Sequence, residues 1–253
     1  MEEGHVISKI DSDGLATIEF GHPSSNALPG NILSKLASTI SEFSDHKDCK
    51  VILLKSSGDR AFCAGASFDE LIAIKNIEDG KVFFSGFAKV INACRNCTKL
   101  IIGRVHGKAV GGGVGIASAV DYAFATEAAH VKLSELAVGI GPFVVGPAVE
   151  RKIGLSAMSD LAINASAWRS ARWAESKGLY AQVYETAQLM DEAISILTDK
   201  LTNSNPAAMA NLKQVFWQGT AHWDTLLNER AEISGELVLS DFTKNAIQSF
   251  KKS

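Results

Sequence analysis

Hydrophobic residues in this chain fall into short apolar runs that alternate with stretches of helical spacing. Val6 to Phe20 predicts two strands around the turn Asp11-Ser12-Asp13-Gly14, and Gly21 to Gly30 reads as a loop. Ile32, Leu36, Ile40 and Phe43 recur at helical spacing, which predicts an amphipathic helix over residues 31 to 44. Val51 to Leu54 is a fully apolar strand, and Ser56 to Arg60 turns the chain. The pattern then repeats, with a helix over 79 to 97 and a strand over 100 to 105. A third helix over 114 to 120 and a strand over 121 to 126 follow. Such alternation predicts an α/β fold with a parallel sheet, whose ligands bind beyond the carboxyl ends of the strands.

Past residue 145 the pattern becomes helical. Short helices are expected over Pro147 to Ile153, Ser156 to Ala165 and Ser170 to Lys177, the last opened by a Ser cap. Residues 190 to 203 and 206 to 218 come next, with Pro206 placed at a helix start. In the following helix Trp223, Leu226, Leu227, Arg230, Ile233 and Leu237 lie near one face. Asp241 to Lys251 ends the chain, with Phe242, Ala246 and Phe250 four apart. No low-complexity linker or internal repeat is visible. A helical tail of this kind has to pack on the α/β body or on another copy of the chain.

The candidate chemistry lies between Arg104 and Glu135. A strand runs into Gly111-Gly112-Gly113, and a chargeless small-residue helix, Val114 to Val120, follows. Glycines at a helix start let backbone approach a ligand closely. The unpaired N–H groups there, with the positive end of the helix dipole, suit a developing oxyanion. Glu135 follows, just before Gly139-Ile140-Gly141-Pro142. This pattern predicts glycines that hold an oxyanion and a glutamate that moves a proton. A phosphate loop is a poor alternative, because no Lys-Ser or Lys-Thr follows the glycines.

Composition narrows the classes. At 253 residues, 46% hydrophobic and 21% charged, the chain is ordinary globular protein with length for one large domain, or a large and a small one. A net charge of -3 without a basic run argues against nucleic acid as a partner. No signal-peptide pattern and no apolar run of membrane length are seen, so a cytoplasmic protein without a membrane span is expected. Of Cys49, Cys63, Cys94 and Cys97, the last two form a C-x-x-C pair. A single pair makes no zinc site, and a reduced pair is expected. No metal and no cofactor are predicted.

Three ordered motifs resemble the enoyl-CoA hydratase/isomerase (crotonase) family. Ala61-Phe62-Cys63-Ala64-Gly65-Ala66 resembles its first oxyanion loop. His106-Gly107-Lys108-Ala109-Val110-Gly111-Gly112-Gly113 resembles the second. Asp121 followed by Glu135, Gly139 and Pro142 resembles the segment with a catalytic carboxylate. The tail from Asp241-Phe242 to Phe250-Lys251 is similar to the family's last helix. The resemblance implies a spiral of ββα turns over residues 1–195 and a helical trimerisation region over 196–253. It implies a homotrimer or a dimer of trimers, and an acyl-CoA thioester as substrate. Oxyanion donors fall on Ala66 and Gly112, and CoA or substrate contacts on Cys63, Ala64, Gly65, Gly111, Gly113 and Gly115. Lys251 or Lys252 is placed to meet a CoA phosphate, or else is simply solvated.

The departures from the family pattern direct the choice of reaction. Hydratases of the family hold one water between two glutamates; the first of these falls on Gly115, and the second is Glu135. One carboxylate beside an oxyanion site suits the shift of a double bond from a 3-enoyl-CoA to a 2-enoyl-CoA, with Glu135 carrying the proton. Hydration with a second, unidentified acid stands behind it, with Glu127 and Glu150 as the nearby carboxylates. Another crotonase-type reaction and a non-catalytic CoA binder also remain. Ser67 stands for a common Asp, His106 for a common Asn and Leu100 for a common Pro. Phe83, Phe84 and Phe87 are expected beside the acyl chain or in the core, and Phe216, Trp217 and Trp223 in the core or a subunit interface.

Overall fold

A computed structural model of the chain describes residues 4–250. The chain opens with an antiparallel hairpin, β1 (His5–Ile10) and β2 (Leu15–Gly21). Asp11 Oδ1 accepts from the N–H groups of Asp13 and Leu15, which closes the predicted turn. From β2 to the short strand Val131–Lys132 each turn of the chain gives one strand to a large sheet, one or two short strands to the smaller sheets, and then a helix, while the turn of the last strand, Gln182–Tyr184, passes directly to a helix. The large sheet runs β1-β2-β4-β7-β9-β11, through β4 (Val51–Ser56), β7 (Leu100–Val105), β9 (Tyr122–Thr126) and β11 (Gln182–Tyr184). Apart from the hairpin, its pairings are parallel. Its central strands are covered on both faces, which is why they read as unbroken apolar runs in the sequence.

The smaller strands were not legible in advance. β5 (Ala61–Cys63), β8 (Lys108–Val110) and β10 (Val131–Lys132) form a parallel three-stranded sheet. β3 (Ala27–Leu28) pairs with β6 (Gly65–Ala66). Strands of two or three residues have no room to show a period. β3 lies in the expected loop 21 to 30, and the expected turn before β5 holds.

The helices follow the predictions closely. α1 (Gly30–Asp45) buries Ile32, Leu36, Ile40 and Phe43, the four residues of the predicted face. α2 (Phe68–Ala73) was missed, although Ser67 caps it by accepting from Glu70 N–H. α3 (Ile77–Asn96) starts two residues earlier than expected because Asn76 caps it. α4 (Gly112–Ala119) also starts two residues early, so the glycines belong to the helix itself. The expected pair of helices after residue 145 is α5 (Gly146–Ile163), broken at Gly154, whose φ of 76° is outside helical geometry. α6 (Ala171–Ser176) has the predicted Ser170 cap, and α8 (Pro206–Phe216) has Pro206 first, with Asn205 capping. β11, between α6 and α7 (Ala187–Thr202), was not foreseen. α7 runs across residue 195.

The C-terminal helices pack on the body of the same chain. α9 (Trp223–Leu237) lies along α3, with Gly80 against Gly235 at the crossing. A Cβ on Gly80 would come within 2.7 Å of Gly235 Cα, so both positions need glycine for this approach. The buried stripe is Trp223, Leu227, Ala231 and Ser234, while Ile233 and Leu237 of the predicted face are exposed. In α10 (Asp241–Phe250), Thr243 and Ile247 are buried and Phe242 is exposed. Trp217 and Trp223 meet edge to face in the core, and Phe216 is exposed.

One buried ion pair joins α8 to the sheet. Lys213 Nζ lies 2.8 Å from Asp121 Oδ2, with both side chains almost fully enclosed. Asp121 also accepts from Ile101 N–H and from Trp217 Nε1, and Lys213 donates to Lys99 C=O. The Asp121 carboxylate is thereby satisfied by three donors, the condition under which a buried charge is tolerated.

Candidate functional site

The two halves of the candidate site meet through one backbone hydrogen bond. Gly111 N–H donates to Lys132 C=O at 2.9 Å, joining the end of β8 to the end of β10. The chain leaves β10 through Ser134 and Glu135 into a 3-10 turn, Leu136–Val138. Glu135 C=O holds that turn by accepting from Val138 and Ile140 N–H. Gly111 has φ +52° and ψ -116°, a conformation only glycine adopts readily. A Cβ there would also sit 3.0 Å from Glu135 Oε1. The absent side chain leaves that space to the carboxylate, beside the first turn of α4.

α4 is short, and all eight of its residues are buried. Its small residues let it sit between β5, α3 and α5. A Cβ on Gly112 would collide with the Phe87 ring, and one on Gly113 with the Cys63 carbonyl. As the first residue of the helix, Gly112 has an N–H without an intrahelical acceptor.

The cavity at this helix start has a volume of about 470 Å³. Ala64, Gly65, Ala66, Gly111, Gly112 and Glu135 all line it. Phe83, Phe84 and Phe87 of α3 form one wall, and Phe143, Val144 and Val145 another. Three of the predicted contact residues do not reach the cavity. Cys63 and Gly113 are buried against each other behind it, and Gly115 faces Val145, whose Cγ1 would lie 2.6 Å from an added Cβ. Lys251 and Lys252 are outside the described residues.

Among the residues lining this cavity, Glu135 is the one carboxylate. Its Oε2 is enclosed and has no hydrogen-bond partner. Burial pushes its carboxyl up from the ordinary 4.5 to about 7. A carboxyl that titrates near neutrality suits proton transfer in both directions. Glu127 is exposed and paired with Arg172 at 2.6 Å, and Glu150 is exposed; neither lines the cavity. His106 is buried away from it, and burial, with Arg104 nearby, lowers its pKa. Cys63 is a buried thiol pushed up to about 12, a small apolar filler at neutral pH. Among the described residues, no cluster of three or more His, Cys, Asp or Glu is placed to hold a metal, and no helix is long and apolar enough to cross a membrane.

Sequence reasoning missed Lys132, Ser134, Phe143, Val145, Ser166 and Ser234 of the lining. Phe143 to Val145 directly follow the Gly139–Pro142 turn, a signal available in the sequence. Ser166 and Ser234 come from distant elements and carry no such signal. A second cavity, of about 480 Å³, has a mixed lining that includes His5, His22 and Arg60, and it contains none of the predicted site residues.

The site so defined is an apolar cavity at a glycine-rich helix start, with one buried carboxylate in its lining. The sequence model of the family "Enoyl-CoA hydratase/isomerase" matches residues 11–251, and the chain belongs to this family of enzymes. It is 27% identical over 249 residues to a probable enoyl-CoA hydratase of Bacillus subtilis, covering 97% of this chain and 95% of the relative. It is 28% identical over 254 residues to a short-chain-enoyl-CoA hydratase of Clostridium acetobutylicum, covering 99% and 95%. The crystal structure of an enoyl-CoA hydratase from Bacillus halodurans shares the fold, with a TM-score of 0.88 at 19% identity over 96% of this chain and 99% of that one.

Proposed function

We propose that the chain shifts the double bond of a 3-enoyl-CoA to the 2-position, with Glu135 as the single proton carrier. The thioester oxygen lies between the N–H groups of Ala66 and Gly112. Glu135 takes a proton from C2, and the electrons move onto that oxygen as a dienolate. The same carboxyl returns the proton to C4, leaving the C2=C3 bond. Two preorganised donors in an apolar site stabilise such an oxyanion by about 3–4 kcal/mol for each donor whose loss has been tested in comparable sites. No metal or cofactor enters the step.

The observation that carries this reading is the solitary, buried Glu135 carboxylate in a cavity whose other lining is mostly apolar. Val145 lies between Gly115 and the cavity, so apolar surface stands where a hydratase of the family would place its other glutamate. Hydration of a 2-enoyl-CoA is the second reading, favoured by the names of the relatives above. The family resemblance carries the proposal of a homotrimer or a dimer of trimers, to which the exposed Ile233, Leu237 and Phe242 would offer apolar contact surface.

Deuterium placed at C2 tests the proton path. A single enclosed carboxyl delivers part of the label to C4 of the product in ordinary water. Undiminished transfer of label to C4 by Glu135→Gln would exclude Glu135 as the carrier.

A further inference from the structure

The polar side of the cavity extends beyond Glu135. Lys132 and Ser166 line it, and from Lys132 the same face of the small sheet continues to Lys108. Lys132 is paired with Val110 and Val131 with Ala109. Side chains alternate along a strand, so Lys108, Val110 and Lys132 share one face. Both ammonium groups meet the same indole. Lys108 Nζ lies 5.0 Å and Lys132 Nζ 5.5 Å from the centroid of Trp168, which is 42% exposed. Among the described residues neither lysine has an ion-pair partner.

One aromatic ring attracts each cation, yet it does nothing to relieve their mutual repulsion. A negative group between or beside the two ammoniums would do so. Because Lys132 lines the cavity, that group would come from whatever occupies it.

We infer that Lys132 and Lys108, gathered at Trp168, form an anion-binding subsite for a negatively charged group carried by the CoA thioester. The inference rests on the thioester reading above. The charge has two available sources, a carboxylate at the far end of the acyl group or the phosphates of CoA.

Calorimetric titration of the full chain separates them without turnover. The probes are CoA itself, a saturated acyl-CoA ending in methyl, and one of the same length ending in a carboxylate. If Lys132→Met and Lys108→Met weaken the carboxylate-ended probe and spare the other two, the subsite takes the acyl carboxylate. If all three probes weaken together, it takes phosphate. In either case the loss shrinks as salt is raised. Unchanged affinities for all three in both variants and in the double variant would overturn the subsite and leave the thioester reading intact. Failure of the wild type to bind any probe would overturn both.

Discussion

The side chain of Val145 occupies the place into which a side chain at Gly115 would grow, with Cγ1 2.6 Å from the Cβ that glycine lacks. The two residues are therefore a matched pair, one on α4 and one where α5 begins. A glutamate at 115 has no space and no partner for its charge. Gly115→Glu is expected to destabilise the fold by about 3 kcal/mol or more through overpacking and burial of an unpaired acid. Gly115→Glu with Val145→Gly opens the route to the cavity. Water addition to a 2-enoyl-CoA should then appear in the double variant and be absent from the single one. Thermal melting and product chromatography read the two effects.

Glu135→Gln removes the proposed proton carrier and keeps the shape of the side chain. Isomerisation should fall by about 10²–10⁴-fold, while acyl-CoA affinity moves little. Turnover close to wild type in this variant would take Glu135 out of the reaction.

The acid limb of the wild-type rate should be set by the same group. In the proposed step Glu135 acts as a base when ionised, so kcat/KM is expected to rise with pH up to about 7 and then level off. Stability runs the other way. A carboxyl raised from 4.5 to about 7 in the fold binds more protons there than in the unfolded chain, so its contribution is full below pH 4.5 and is lost as pH rises through 7. The melting temperature of Glu135→Gln relative to wild type should accordingly increase between pH 4.5 and pH 8. A constant difference over this range would show that the carboxyl titrates at its ordinary value.

Gly112 and Phe87 provide a separate test of the helix start. Gly112→Ala drives its methyl into the Phe87 ring and displaces the N–H proposed to bind the oxyanion. Turnover should drop sharply, and Gly112→Ala with Phe87→Leu should recover part of it. Equal losses in the two variants would mean that this contact does not position the donor.

Asp121→Ala leaves Lys213 charged, enclosed and without its counter-ion. The expected cost is about 3–5 kcal/mol in denaturant unfolding. Replacing both residues by apolar side chains should restore much of that loss.

The large elements were legible because their burial writes a period into the sequence. Ile32, Leu36, Ile40 and Phe43 mark one face of α1, and the apolar run at Val51 marks a central strand. The small strands β3, β6 and β10 are set by partners far away in the chain, and no local pattern announces them. For the site, the motifs named Ala66, Gly112 and Glu135, and all three line one cavity. Sequence spacing could not foretell that Val145 screens Gly115 from it, because that depends on which side of α4 faces the start of α5. Lys132 was equally hidden, since its place follows from the pairing of β10 with β8.

The central claim is that one enclosed carboxylate moves a proton and adds no water. The most direct measurement gives the purified protein a 3-enoyl-CoA and, separately, a 2-enoyl-CoA, and identifies the products by mass and chromatography. Conversion of the first to the 2-enoyl thioester, with the second left unhydrated, is the predicted result. Rapid formation of 3-hydroxyacyl-CoA from the second would contradict it, since that reaction requires a water-activating group beyond Glu135.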